Sequence, residues 1–242
     1  MLQQRVATDS SGDRAIRPLP APLTSFVGRQ QEMAEIKRLI ETSRLVTLTG
    51  AGGCGKTRLA LRLASDLRAA YPEGVFWVEL APLADAALLP QVIAQALTTI
   101  EHPGRALLDV ILDLLHDKRL LLVLDNCEHL ASACGEFSHD VLCDAPHVSI
   151  LATSREPLAV AGEMLYPVAP LAVPPGSQAR DIAGFDSIRL FVERARGVLP
   201  NFTLTPDNEP YVADICRRLD GIPLAIELAS GRVNALTVEQ IA

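Results

Sequence analysis

The sequence predicts an α/β fold, a three-layer sandwich with a five-stranded parallel sheet, followed by a small helical domain. Five short apolar runs have the length and composition of strands, and helical patterns alternate with them. Such alternation is typical of right-handed βαβ units, whose parallel strands are covered by helices on both faces. After a stretch rich in Pro and Gly, every further pattern is helical. At 242 residues the chain can bury a substantial core and form one or two domains.

The first 24 residues are predicted to be a disordered or extended lead-in. They are polar at first and then rich in Pro, and such a segment buries too little apolar surface to fold. Order is expected to begin near Phe26. The helix that follows has four apolar residues on one face, Met33, Ile36, Leu39 and Ile40.

The predicted first domain, residues 25–172, contains the whole sheet. Its strands are nearly continuous apolar runs, which suit strands buried on both faces. The five candidates are Leu45–Thr49, Val75–Leu80, Leu120–Leu124, Val148–Ala152 and Leu165–Val168. A helix follows the first run, and further helical patterns span roughly 86–98, 105–117 and 128–143.

A linker is predicted over 173–183, and a helical domain over 184–242. Its first helix has an apolar face that includes Ile188 and Phe191. A second is expected to start at Pro206 with Thr205 as its N-cap, and to stop at Gly221. A third is expected from Pro223 to about residue 234. The run from Thr237 to Gln240 fits a capping box, so we expect a last helix that continues beyond Ala242.

One motif indicates the ligand class. Residues 50–57 fit the pattern G-x-x-x-x-G-K-[ST] between a strand and a helix, which is the context of a P-loop NTPase. Glycines allow the backbone N–H groups to form an anion-binding nest, and the following helix adds the positive end of its dipole. The predicted nucleotide-binding residues here are Gly50, Ala51, Gly52, Gly53, Cys54, Gly55, Lys56, Thr57 and Arg58.

Three side chains are assigned to the phosphates and the metal. Lys56 is a mobile positive charge that can reach the β- and γ-phosphates. Thr57 offers a hydroxyl oxygen to Mg²⁺, and Asp125, at the end of an apolar strand, is the second candidate ligand. Cys54 is either a reactive thiol near a helix start or, as we favour, a small residue that fits the loop.

The general base is left open. Asn126 occupies the position where many P-loop ATPases have a second acid, and an amide cannot take a proton from water. Glu128 is the nearest alternative base, but with Asn126 as an N-cap it is equally explained as an acid in a first helical turn. We therefore predict slow hydrolysis, or hydrolysis that depends on assembly.

Two further segments are candidates. Arg155 follows the strand run ending in Ala152, at the edge where ligands bind in open α/β sheets, and is predicted to sense the γ-phosphate. Residues 221–224 open a helix with Pro223, and from the residues alone this is a structural feature.

Composition limits the function classes. The chain has 29 acidic against 22 basic residues and a formal net charge of −7 without a basic block, so this segment is not expected to contact nucleic acid directly. Five scattered cysteines without a C-x-x-C pair argue against a disulfide framework or a zinc site. The sequence has neither an apolar run long enough for a membrane helix nor a signal peptide, so a cytoplasmic protein is expected.

Taken together, these segments resemble the NB-ARC, or apoptotic-ATPase-like, branch of the STAND signal-transduction NTPases. The closest similarity is to the ATPase modules of large LuxR-type, AfsR-like bacterial transcriptional regulators. It rests on the ordered set FVGR, TLTGAGGCGKTRLA, LVLDNCEHL, ATSREPL, LFVERA and RRLDGIPLAIELA, over about residues 20–242.

The resemblance implies ATP or ADP with Mg²⁺ as ligands, and a sensor strand between the P-loop strand and the strand of Asp125. It implies that Val27, Gly28 and Arg29 line the adenine, that Pro223 packs on it, and that a helical lid closes over the nucleotide. It further implies an ADP-bound inactive state, self-association in the ATP state, and C-terminal sensor and effector domains.

The leading hypothesis is therefore an ATP/ADP switch with weak ATPase activity, the regulatory module of a transcriptional regulator. One alternative is a constitutive P-loop enzyme, such as a small-molecule kinase or processing ATPase. Another is a scaffold locked with ADP, against which the intact residues Lys56, Thr57 and Asp125 argue.

Overall fold

The computed structural model describes residues 19–99, 104–176 and 181–242. Within these ranges a single sheet contains five parallel strands in the order β2-β3-β4-β1-β5. The predicted α/β sandwich is confirmed. The strands are β1 (Leu45–Thr49), β2 (Val75–Glu79), β3 (Leu121–Asp125), β4 (Ser149–Ser154) and β5 (Glu163–Pro167).

The apolar runs did not predict two features of the sheet, the start of the fifth strand and the place of the fourth. The fifth strand begins at Glu163, two residues before the apolar run, because Glu163 already pairs with Leu45 of β1. Strand β4 lies between β1 and β3, as the resemblance implied. Since all strands are parallel, the carboxyl ends of these three meet at one edge of the sheet, where ligands bind in such folds.

Helices cover both faces of the sheet. They are α1 (Gln30–Thr42), α2 (Lys56–Asp66), α3 (Leu89–Ala96), α4 (Leu107–Leu115) and α5 (Ala131–Asp144). Alternation along β3 separates two apolar cores, because successive side chains of a strand point to opposite faces. Leu121 and Val123 pack in the core that includes α1 and α2 residues. Leu122 and Leu124 pack in the core that includes residues of α3, α4 and α5.

Residues 181–242, which we call the helical segment, supply most of a third apolar core, to which Leu171 also belongs. The helical segment contains α6 (Asp186–Val198), α7 (Glu209–Arg218), α8 (Pro223–Ser230) and α9 (Val238–Ile241). Phe191 is fully buried there, and its ring centroid lies 6.0 Å from that of Phe202 in a tilted arrangement. Burial of such side chains contributes about 1.5–3 kcal/mol each. The division into two domains stays a prediction, and the linker region includes residues 177–180, which lie outside the described ranges.

Two predicted helix starts in this segment have different outcomes. The prediction of Thr205 as an N-cap is wrong, because α7 begins at Glu209. The Asn208 side chain instead accepts from the backbone N–H of Thr205 at 2.9 Å, and the resulting turn occupies the residues expected to start the helix. The capping box is confirmed, with reciprocal bonds of 3.0 and 3.3 Å between Thr237 and Gln240.

Among the helices that the structure describes, none combines the length and apolar character needed to span a membrane.

Candidate nucleotide-binding site

The loop of residues 50–57 connects β1 to α2 and ends at a helix N-terminus. Its backbone has φ values of +149° at Gly50, +77° at Gly53 and +95° at Gly55. Side chains strongly disfavour such angles, so these positions require glycine. Helix α2 starts at Lys56. The free N–H groups of its first turn and the positive end of its dipole therefore point toward the loop. This geometry suits a phosphate group.

Lys56 is buried, with only 8% of its surface exposed. Its ammonium group donates to the carbonyl oxygens of Gly50 at 2.8 Å and Ala51 at 3.1 Å, and so it crosses its own loop. Phosphate oxygens are charged acceptors and form stronger bonds with an ammonium than neutral carbonyls do. The flexible stem allows Lys56 to exchange these partners for a phosphate without any change in the backbone.

Asp125 ends β3 beside the loop and is held by two hydroxyl groups. Thr57 Oγ1 donates to Asp125 Oδ1 at 2.9 Å, and Thr153 Oγ1 donates to the same oxygen at 2.7 Å. Burial raises the pKa of the Asp125 carboxyl, while the bonds from Thr153 and Thr57 partly oppose the shift. Hard oxygen donors of this kind fit Mg²⁺, which usually takes one or two protein ligands together with phosphate oxygens.

Asn126 occupies the N-cap position of a short helical turn, as one of the two interpretations expected, but its side chain makes no capping hydrogen bond. Its φ is +71°, in the left-handed region, whereas a capping residue normally has an extended backbone. Its backbone N–H donates instead to Thr153 Oγ1 at 2.9 Å. A 3-10 turn at residues 127–130 follows, and Glu128 lies in that turn.

Glu128 and Arg155, predicted as base and sensor, contact each other. Arg155 Nε donates to Glu128 Oε1 at 3.0 Å. The second oxygen of Glu128 is buried and has no hydrogen-bond partner among the described residues. A Cβ placed on Gly52 would lie 3.6 Å from Arg155 Nη2, so the guanidinium is also beside the loop. The Arg155 side chain is 66% exposed and therefore free to change partners.

The Val27–Arg29 segment, which the resemblance assigns to the adenine, reaches the loop through the side chain of Arg29. Arg29 is 4% exposed, and its Nη2 donates to the carbonyl oxygens of Cys54 at 2.7 Å and Ala169 at 3.0 Å. Burial lowers the pKa of its guanidinium. Val27 packs on the core of the helical segment, and the Cys54 thiol is buried, as expected for a residue that fits the loop.

Helix α8 begins directly against the loop. Pro223 is its first residue, as predicted, and the backbone N–H of Leu224 donates to Gly53 O at 3.2 Å. A Cβ on Gly55 would lie 3.9 Å from Pro223 Cγ. This segment therefore contacts the loop that carries Lys56, and a role of Pro223 toward the nucleotide stays a prediction.

Arg58 has its side chain turned to other partners. Its guanidinium donates to Glu227 of α8 and to the carbonyl oxygens of Thr24 and Ser25. Sequence reasoning gave no role to two polar partners, Glu227 and Asp186, whose carboxylate accepts from the Arg29 backbone N–H at 3.3 Å. Glu227 had a recognisable signal, as the single charged residue in the apolar helix Pro223–Ser230.

A family model for an AAA domain matches residues 38–160, about half of the chain, and spans the loop, Asp125, Glu128 and Arg155. The chain belongs to the AAA domain family. An uncharacterized protein of Mycobacterium tuberculosis is 40% identical to this AAA protein over 219 residues, 90% of the chain and 53% of the relative. A second protein of that organism, assigned by its name to the HTH-type transcriptional regulators, is 41% identical over 86% of the chain and 22% of its own length.

The regulatory protein AfsR of Streptomyces griseus is 26% identical over 90% of the chain and 22% of its own length. The chain thus spans about half of the first of these relatives and about a fifth of the two regulators.

Solved structures share the fold at low identity. Cdc6p of Pyrobaculum aerophilum superposes with a TM-score of 0.58 at 14% identity, over 95% of this chain and 64% of that one. A STAND protein of Pyrococcus horikoshii with a tetratricopeptide repeat sensor superposes with a TM-score of 0.54 at 15% identity, over 86% and 30%.

Proposed function

We propose that this AAA domain is an ATP/ADP-binding switch of the NB-ARC type, with slow Mg²⁺-dependent ATP hydrolysis, that acts within a larger transcriptional regulator. The observation that carries the proposal is the bond from Leu224 N–H to Gly53 O, which joins the helical segment to the phosphate loop. A ligand bound where two segments meet can favour one of their arrangements over another. A switch requires that ATP and ADP differ in this preference.

The proposed roles combine these contacts with the resemblance to the NB-ARC branch. Lys56 would bind the β- and γ-phosphates, and Arg155 beside Gly52 would sense the γ-phosphate. Thr57 and Asp125 would hold Mg²⁺, which when bound neutralises phosphate charge. The adenine would lie between the Val27–Arg29 segment and Pro223, and Pro223 belongs to the proposed lid domain.

Slow turnover is supported by the surroundings of the two candidate groups for water activation. Asn126 cannot accept a proton from water, and Glu128, the remaining candidate, is paired with Arg155. The bond from Arg155 occupies Glu128 Oε1, and the second oxygen of Glu128 is buried. Hydrolysis therefore requires that Arg155 leave Glu128.

The place in a regulator is supported by relatives that are named as regulators and are about four times as long as this chain. We propose that sensor and effector regions of the full protein complete the switch, and that the ATP state self-associates. The alternatives, a constitutive enzyme or an ADP-locked scaffold, are separated from the switch by the following experiment.

The purified protein is denatured, the released nucleotide is identified, and exchange and hydrolysis are measured for wild type and Lys56→Ala. We expect about one ADP per chain, slow exchange, and slow hydrolysis with Mg²⁺. Loss of a charge-assisted contact should weaken nucleotide binding by roughly tenfold to hundredfold in Lys56→Ala. Unchanged affinity would contradict the placement of the phosphates, phosphate transfer to a metabolite would favour an enzyme, and ADP that never exchanges would favour a scaffold.

A further inference from the structure

Three helices meet at one carboxylate. Glu227 Oε1 of α8 accepts from Arg58 Nη1 of α2 at 2.8 Å and from Arg194 Nε of α6 at 2.9 Å. The side chains of Arg58, Glu227 and Arg194 are only 34%, 26% and 12% exposed. Partial burial weakens screening by water and salt, so this group contributes more than an ordinary surface ion pair.

The same two arginines also hold the N-terminal chain. Arg58 Nη2 donates to Ser25 O at 2.6 Å, and Arg194 Nη2 donates to the same oxygen at 2.8 Å. Arg194 Nη1 reaches Ser25 Oγ at 3.2 Å and the neighbouring Glu193 at 3.1 Å. We call Ser25, Arg58, Arg194 and Glu227 the Glu227 cluster.

The position of the Glu227 cluster relates it to the loop. Arg58 follows Thr57 in the first turn of α2. Glu227 comes four residues after Pro223 on α8, which places both on one side of that helix. Ser25 directly precedes the segment Phe26–Arg29. The cluster thus joins the first turn after the loop to both segments that are proposed to contact the adenine.

Removal of Glu227 would leave two partly buried guanidinium groups side by side. Arg194 would keep Glu193 as an acidic partner, but Arg58 has no other carboxylate partner among its contacts in the described residues. Uncompensated charge at a partly buried site is destabilising. The least costly relief is separation of α2 from α6 and α8, which is the motion that would uncover the loop.

We propose that the Glu227 cluster is a clasp that holds the helical segment closed on the loop and limits the rate of nucleotide release. The inference rests on the proposed function, because it requires that the loop bind a nucleotide. In the described ranges, the hydrogen bonds of the Glu227 and Arg194 side chains do not involve the phosphate loop. The clasp therefore affects the rate of opening rather than the phosphate contacts themselves.

The main test compares Glu227→Gln with Asp214→Asn in the full chain. Asp214 also pairs with two arginines, Arg217 at 3.0 Å and Arg218 at 2.7 Å, but all three lie in α7. Release of a fluorescent ADP analogue is followed after mixing with excess ADP. We expect release to be roughly fivefold to tenfold faster in Glu227→Gln. Asp214→Asn should stay within about twofold of wild type, because its two pairs lie within one helix and do not join the helical segment to the loop.

A double-mutant cycle with Arg194→Gln tests whether the residues act together. If they form one clasp, the double variant releases ADP no faster than the faster single variant. Fully multiplicative effects would contradict the proposal. Arg194→Lys, which keeps the charge but loses the forked contact to Glu227 and Ser25, should show an intermediate rate and replaces Glu227→Gln if that variant does not fold.

Hydrogen exchange without nucleotide separates the two possible failures. The Leu224 amide is bonded to Gly53 O, so it reports closure directly. Faster exchange at Leu224 in Glu227→Gln, but not in Asp214→Asn, is expected. If wild type binds no nucleotide, the proposed function fails. If wild type binds nucleotide while both release and Leu224 exchange are unchanged in Glu227→Gln, the clasp alone is refuted.

Discussion

The phosphate loop and its junction with the helical segment differ in how far apart in the sequence their contacting residues lie. We call this junction, which contains Arg29, Arg58, Asp186 and Glu227, the joint. In the loop, Lys56 bonds to carbonyl groups five and six residues away. At the joint, Arg29 bonds to Asp186, 157 residues later, and Arg58 bonds to Glu227, 169 residues later. The comparison indicates that the phosphate loop itself is specified locally, whereas its connection to the helical segment depends on contacts that form only when the whole chain is folded.

The largest expected effect tests whether the joint also stabilises the fold. Gly28 has φ +72°, and a Cβ there would overlap the Asp186 carboxylate that accepts from Arg29 N–H. Gly28→Ala should lower the free energy of unfolding by about 3 kcal/mol, from backbone strain and the clash together. Urea denaturation measures the change.

Gly162→Ala is the matched control. Gly162 also has a positive φ, +84°, but its Cβ would meet nothing within 4 Å. We expect a loss of about 1 kcal/mol from strain alone. Equal losses in the two variants would mean that the Gly28–Asp186 contact adds nothing, and the joint would then lack the tight packing that distinguishes it from the loop.

The next effect concerns the site edge, where Glu128 is either a base or a partner of Arg155. If Glu128 is the general base, Glu128→Gln lowers single-turnover ATP hydrolysis by about a hundredfold with little change in affinity. Exposed Glu156, adjacent to Arg155, provides the control Glu156→Gln, which should hydrolyse at the wild-type rate. Hydrolysis unaffected by Glu128→Gln would assign Glu128 to Arg155 alone.

The sequence predicted the sheet and the loop because both leave local patterns. Buried strands appear as apolar runs, and a glycine loop before a helix has a characteristic spacing. Asp125 and Arg155 could be placed because parallel strands end at the same edge.

The start of α7 at Glu209 and the partners Asp186 and Glu227 could not be placed in this way. Thr205 fits a capping pattern, but a competing bond from Thr205 N–H to Asn208 removes it. A carboxylate such as Glu227 has no local signature for the helix it will contact 169 residues away. Such pairs depend on packing, which a single sequence does not specify.

The smallest expected effect concerns Asp125, a binding residue beside the loop that we expect to reduce the stability of the ligand-free protein. The folded-state pKa of Asp125 is raised by burial, so its negative charge opposes folding above that pKa. Asp125→Asn should therefore stabilise the ligand-free protein by about 1 kcal/mol at neutral pH, or roughly 2–4 °C in Tm. This stability difference should shrink as the pH falls through the raised pKa toward the ordinary value of an aspartate. The folded wild type then carries a neutral carboxyl, just as the variant carries a neutral amide.

Mg²⁺ and ATP should reverse this order of stability. A ligand at about 100 times its Kd stabilises a protein by about 2.7 kcal/mol, and only wild type retains the carboxylate proposed to bind the metal. Thermal unfolding with and without Mg-ATP measures both effects, and Asp117→Asn, at a side chain that is 95% exposed, should show neither. Stabilisation of Asp125→Asn by Mg-ATP equal to that of wild type would remove Asp125 from the metal site. A reversal would show that the Asp125 carboxylate lowers the stability of the ligand-free protein and raises it once Mg-ATP is bound. The packing of Gly28 at the joint, by contrast, is expected to stabilise the fold without a ligand.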